Sequence, residues 1–177
     1  MGKYQSCSFT GHRPHKFPWR YNETDSRCTA LKTALAEQIT SLAEAGVTAY
    51  YGGGADGVDC WATLVVLELK KKNPALNLHL ILPHEGQADK WSGSAQERYH
   101  SILKQADLIE YVSHEYYDGC MLDRNHRLVE AARTLLAIYN GERRGGTAAT
   151  VRYARKLDRR IIFLNPITLE VTEGQVG

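Results

Sequence analysis

At 177 residues, with 43% hydrophobic and 24% charged residues, the chain has the length of one domain and the composition to fill a core. This excludes a largely disordered, collagen-like or repetitive polypeptide. The net charge is only +2, but residues 121–177 carry ten Lys/Arg, nine of them Arg, against six acids, while the first 120 carry twelve against fourteen. Arginine forks onto phosphate and carboxylate, so the excess in the last third points to an anionic ligand, the alternative being a solvated helix face.

No apolar run approaches the roughly 18 residues of a bilayer span, and Met1–Gln5 leads into a strand-like segment rather than an export signal. A cytoplasmic protein without a membrane partner is expected. Cys7, Cys28, Cys60 and Cys120 lie far apart with no C-x-x-C pair, and the seven histidines show no ligand spacing; reduced, structural thiols and no metal site are expected.

Strand-like runs alternate with helix-period stretches. Tyr4–Phe9 reads as a first strand, ending at Thr10-Gly11-His12-Arg13-Pro14. An aromatic loop with Phe17, Trp19 and Tyr21 follows, where Pro14 and Pro18 argue against a helix. Asp25–Ala45 carries Leu31, Leu35, Ile39 and Leu42 at helical spacing and stops at Gly46, before a strand at Val47–Tyr51. Beyond the glycine cluster Gly52–Asp59, a second helix runs to Lys70–Lys72. Leu78–Leu82 is the third strand, and Pro83-His84-Glu85 opens a polar loop. Ser94–Ala106 reads as a helix, Leu108–Val112 as a strand, Met121–Ala132 as a helix and Leu135–Tyr139 as a buried strand. The last crossover helix is Thr147–Leu157 and the closing strand Ile161–Leu164. The pattern predicts an α/β fold: a single-domain, Rossmann-like, doubly wound, mostly parallel sheet with helices on both faces over residues 1–165. The poorly apolar segment 166–177 reads as a frayed C-terminal tail.

Such sheets bind ligands at the carboxyl ends of their strands, where the unusual residues of this chain fall. Gly52, Gly53 and Gly54, between a strand and a helix, allow close backbone approach. The run is neither G-x-G-x-x-G nor a Walker loop, so no cofactor is expected. It is either a pocket wall or a tight turn capped by Asp56 or Asp59. Those carboxylates, beside Gly57, suit ribose hydroxyls or a base amino group better than a phosphate. Arg144, Gly145, Gly146 and Thr147, with Thr150 one turn further in, form a second glycine site. Its helix-terminal amides, hydroxyls and guanidiniums favour phosphate. Thr10, Gly11, His12 and Arg13 join the candidate set, with Pro83 and His84 from the polar loop and Arg124-Asn125. The aromatics Phe17, Trp19 and Tyr21 either stack on a base or cover the sheet edge.

Together, Thr10–Pro14, the Gly52–Asp59 cluster, Arg124-Asn125 and Gly145-Gly146-Thr147 with Thr150 resemble the YpsA-like branch of the SLOG superfamily over residues 4–165. Gly53–Asp59 is similar to the S-G-x-A-x-G-I-D stretch of the DNA-processing protein DprA, and Gly146–Ala154 followed by Ile161–Pro166 resembles DprA's G-S-L-x-T-A-x-x-A helix and closing strand. The resemblance implies binding of a nucleotide or nucleotide derivative, sensed or sequestered. Its alternatives are N-glycosidic hydrolysis, as in the LOG phosphoribohydrolases, and single-stranded DNA binding. The LOG pattern P-G-G-x-G-T-x-x-E carries a glutamate where Thr150 stands here, and a hydroxyl cannot serve as that base, although Asp56, Asp59 or Glu85 would be possible replacements. A near-neutral chain also disfavours nucleic acid as a partner. Homo-oligomerisation is expected, with Tyr111, Tyr116 and Tyr117 as aromatic surface in need of cover.

Overall fold

A computed structural model describes residues 5–174. The elements follow the order β1 (Ser6–Thr10), α1 (Ser26–Glu44), β2 (Ala49–Gly52), α2 (Val58–Lys72), β3 (Asn77–Leu82), α3 (Gly93–Gln105) and β4 (Leu108–Tyr111). The second half runs α4 (Cys120–Ala131), β5 (Thr134–Ile138), α5 (Gly146–Lys156), β6 (Arg160–Leu164) and β7 (Val171–Gly174). The strands form one sheet in the order β4-β3-β2-β1-β5-β6-β7, parallel throughout except for the antiparallel β6–β7 pair. The chain thus winds outward from β1 to β4, then returns to the other side of β1 for β5 and β6. This reversal makes a switch point between β1 and β5. The α/β, Rossmann-like, mostly parallel sheet expected from the sequence is the sheet observed.

The apolar periodicity explains the packing. Leu31, Leu35, Ile39 and Leu42 of α1 are all buried, each contributing about 1.5–3 kcal/mol through loss of exposed apolar surface. All five residues of β5 are buried, as befits a central parallel strand covered on both faces. The four cysteines are buried and unbridged, and burial pushes the Cys7 and Cys60 thiols up to about 12. Among the described residues no helix is long and apolar enough to cross a membrane.

Two local expectations change, and a third falls outside the described residues. The start of the first strand at Tyr4 lies outside the described residues, within which β1 begins at Ser6. Pro14 and Pro18 do not exclude all helical structure: Pro14–Lys16 makes one 3-10 turn with Pro14 in its first position, where a missing N–H costs nothing. Nor is the segment after Pro166 frayed throughout. Asn165 accepts hydrogen bonds from the Ile167 and Thr168 amides, turning the chain so that Val171–Gly174 pairs with β6. Backbone pairing and the Arg160–Glu173 ion pair, 2.5 Å, hold a strand that buries almost no side chains.

The aromatic loop divides between core and surface. Phe17 and Trp19 are buried and stacked, with centroids 4.7 Å apart, while Tyr21 stands exposed. Glu23 clips this loop down: its carboxylate accepts from Lys32 of α1 and, at 3.2 and 2.7 Å, from Arg98 of α3. Burial works against the Glu23 charge, but the Arg98 and Lys32 hydrogen bonds outweigh it and bring the carboxyl from 4.5 to about 2. A depressed folded-state value adds stability that is fully present above about pH 4.5 and is lost as pH falls towards 2. Glu23→Gln should therefore flatten this part of the acid dependence, by about 1 kcal/mol after solvent screening. Urea titrations of both proteins at pH 6 and pH 2.5 check it; equal losses on acidification would show that the clip contributes nothing.

Candidate functional site

A cleft of about 180 Å³ opens at the switch point, over the carboxyl ends of β1 and β5. Its walls come from four segments distant in sequence. Thr10, Gly11, His12 and Arg13 arrive from the end of β1, Ala55 and Asp59 from the loop after β2, Arg124 and Asn125 from α4, and Gly146 and Thr147 from the start of α5.

The glycine run Gly52–Gly54 supports the site from beneath, and none of its three residues lines the cleft. Asp59 does not cap α2, and neither does Asp56; Gly57 holds that position. Instead the Asp59 carboxylate reaches back to accept from the Gly53 amide, at 3.1 and 2.8 Å, and from the Ala55 amide at 3.0 Å. The Arg124 guanidinium crosses above, donating to the Gly53 carbonyl and to Gln87 Oε1 (3.3 Å), while its Nε donates to Asn125 Oδ1 (2.9 Å). A Cβ on Gly53 would fall 2.7 Å from Arg124 Nη1, so glycine is required by the approach of the guanidinium. Burial raises the Asp59 carboxyl and lowers the Arg124 guanidinium, and the opposite charge of each offsets the shift of the other. With its carboxylate committed to backbone amides, Asp59 acts first as a fastener of the loop.

The opposite wall is cationic and rich in donors. Gly145 is the N-cap of the eleven-residue α5, so the first-turn amides of Gly146 and Thr147 have no acceptor within the helix. Their positive helix end meets Arg13, Lys16 and Arg124 in the same cleft. His12 is only 7% exposed, and among the described residues its Nε2 has no hydrogen-bond partner; the exposed Glu142 carboxylate stands 3.9 Å away. Burial holds His12 below its ordinary value, partly countered by Glu142.

Other candidates lie elsewhere. Asp56 accepts from the Gly57 amide at 2.9 Å and faces a neighbouring hollow. Pro83 is buried, and His84 lines a separate depression with Glu85, which pairs with His114 at 2.9 Å. Arg144 is exposed outside the cleft, whereas buried Thr150 donates to the Gly146 carbonyl at 2.8 Å, a bond internal to α5. Sequence reading missed His15, Lys16, Met121 and Leu128 as cleft residues. His15 and Lys16 directly extend the Thr10–Pro14 run, and Met121 and Leu128 flank Arg124 at helical spacing; those were the available signals. Gln87, buried beside Arg124 and donating to the Gly53 carbonyl at 3.3 Å, had none.

The YpsA family model, described as the YspA SLOG family, matches residues 7–169. The chain belongs to the YspA SLOG family. A UPF0398 protein from Halalkalibacterium halodurans is 29% identical over 169 residues, covering 92% of this chain and 89% of that one. A UPF0398 protein from Shouchella clausii is 30% identical over 173 residues, covering 96% and 92%. Among solved structures, DNA processing protein A (DprA) from Streptococcus pneumoniae superposes with a TM-score of 0.59 at 12% identity, over 94% of this chain and 54% of DprA. This YspA SLOG chain therefore spans about half of DprA and shares its fold.

Proposed function

We propose that the protein binds a nucleotide or nucleotide-derived ligand at the switch-point cleft, as a sensing or sequestering module, with the ligand's phosphate against the start of α5. One observation carries this reading: buried His12, whose Nε2 has no hydrogen-bond partner among the described residues, lines the same cleft as Gly146 and Thr147. A buried polar atom without a partner is costly. A phosphate oxygen would supply the acceptor that a buried imidazole N–H and the helix-terminal amides lack, and Arg13, Lys16 and Arg124 offset its charge. The loop at Asp56 carries negative charge instead and suits the neutral part of the ligand.

Thr147→Val should weaken a nucleoside 5′-monophosphate by about 1–3 kcal/mol through loss of a hydroxyl donor beside the phosphate, while leaving the matched nucleoside nearly unaffected. Asp56→Asn should leave the dependence on phosphate intact. Calorimetry with each nucleotide and its nucleoside reads both effects; an equal loss for the two ligands in Thr147→Val would move the phosphate elsewhere.

A further inference from the structure

The cleft's 180 Å³ is well below the roughly 300 Å³ at which small-molecule sites begin. It has room for a phosphate and part of a sugar. A second hollow, of about 480 Å³, adjoins it, and Arg13 and His15 line both. The two differ in character. Both carry cations and one aspartate, but only the first has helix-terminal amides, and only the second offers the rings of Tyr21 and Trp91.

Those rings are not accidental surface. Trp91 is held edge-on against Tyr99, with centroids 5.4 Å apart at 77°. Tyr21 is 67% exposed although its loop neighbours Phe17 and Trp19 are buried and Glu23 fixes the loop's far end. Asp56 spends one carboxylate oxygen on the Gly57 amide; among the described residues the other has no donor. Arg13 and Lys90 also line this hollow, so charge alone does not choose its occupant; a planar base with N–H donors on its edge matches its two aromatic rings and the free Asp56 acceptor.

We propose that the second hollow is the base compartment of the same ligand, a nucleoside 5′-monophosphate or a derivative, and that Tyr21 and Trp91 are its specificity-determining residues. The ribose crosses at Arg13 and His15, the base stacks on the aromatic rings and Asp56 accepts from the base edge. This inference rests on the phosphate placement proposed above and adds the chemistry of the ligand's other end.

Calorimetry with ribose 5-phosphate, AMP, GMP, CMP and UMP tests it on the wild type, Tyr21→Ala and Trp91→Ala. At least one nucleotide should bind about tenfold or more tightly than ribose 5-phosphate, the scale of stacking on an aromatic side chain. Each variant should remove most of that advantage and leave ribose 5-phosphate binding unchanged. Trp91 also packs on Tyr99, so exposed Tyr21 decides the matter if Trp91→Ala fails to fold. The inference is overturned if no nucleotide exceeds ribose 5-phosphate, or if the advantage survives Tyr21→Ala. Failure of the phosphate placement looks different: nucleosides would bind as tightly as their nucleotides, or Thr147→Val would leave ribose 5-phosphate unaffected.

Discussion

Arg124→Met should destabilise the protein by about 3–5 kcal/mol, because hydrogen bonds from a buried charged donor contribute about 1.5–3 kcal/mol each and several are lost together. Arg124 is 4% exposed, and its guanidinium donates to the Gly53 carbonyl, Gln87 Oε1 and Asn125 Oδ1. Methionine fills most of the volume but leaves those acceptors without this donor and removes the nearby positive charge that favours the buried Asp59 carboxylate, which then keeps its Gly53 and Ala55 amide donors. The two sites should therefore be coupled. Arg124→Met in an Asp59→Asn background should cost clearly less than in the wild type, because the charge it strands is already gone. Urea denaturation of the single and double variants measures this cycle; a loss under about 1 kcal/mol for Arg124→Met, or strict additivity, would remove the pair from the list of structural supports.

Gly54→Val should be comparably damaging, for reasons unrelated to contact with a ligand. Gly54 adopts φ +69°, and a Cβ there would lie 2.6 Å from Leu82 Cδ2 and 3.1 Å from both Gln87 Nε2 and Tyr99 Cε2. The left-handed backbone costs a side-chain-bearing residue about 1–2 kcal/mol, and overfilling a packed core typically adds about 1–3 kcal/mol. Alanine shares the backbone cost and part of the clash, so Gly54→Ala should fall between. Thermal unfolding ranks the three proteins. Wild-type stability in Gly54→Val would be incompatible with this backbone conformation and packing. The sequence offers Gly54 as a place for close backbone approach to a ligand; the structure turns it instead towards Leu82, Gln87 and Tyr99, beneath the cleft.

The fold was legible because its helices and parallel strands announce themselves locally. Leu31, Leu35, Ile39 and Leu42 mark one buried helical face, and the apolar run at Leu135–Ile138 marks a strand covered on both sides. β7 gave no such signal, since Val171, Thr172 and Glu173 are exposed and the strand depends on pairing and a turn at Asn165. The site was legible as a set of loops but not as a division of labour. Nothing local distinguishes an aspartate that fastens its own loop, as Asp59 does, from one turned towards a neighbouring hollow, as Asp56 is. The link between Gly53 and Arg124 joins positions 71 residues apart, beyond the reach of any periodicity. The same holds for the aromatic loop: three alternating rings look alike in sequence, and tertiary packing alone buries Phe17 and Trp19 and leaves Tyr21 outside.

The antiparallel return of β7 also decides where the chain can be tethered. Gly174 pairs opposite Ile161 at the beginning of β6, and Ser6 begins β1 at that same pole of the sheet, whereas the cleft lies beyond the other strand ends. Both ends of the described segment therefore lie at the pole of the sheet opposite the cleft. Immobilised protein should accordingly present its cleft to the solution whichever end carries the linker.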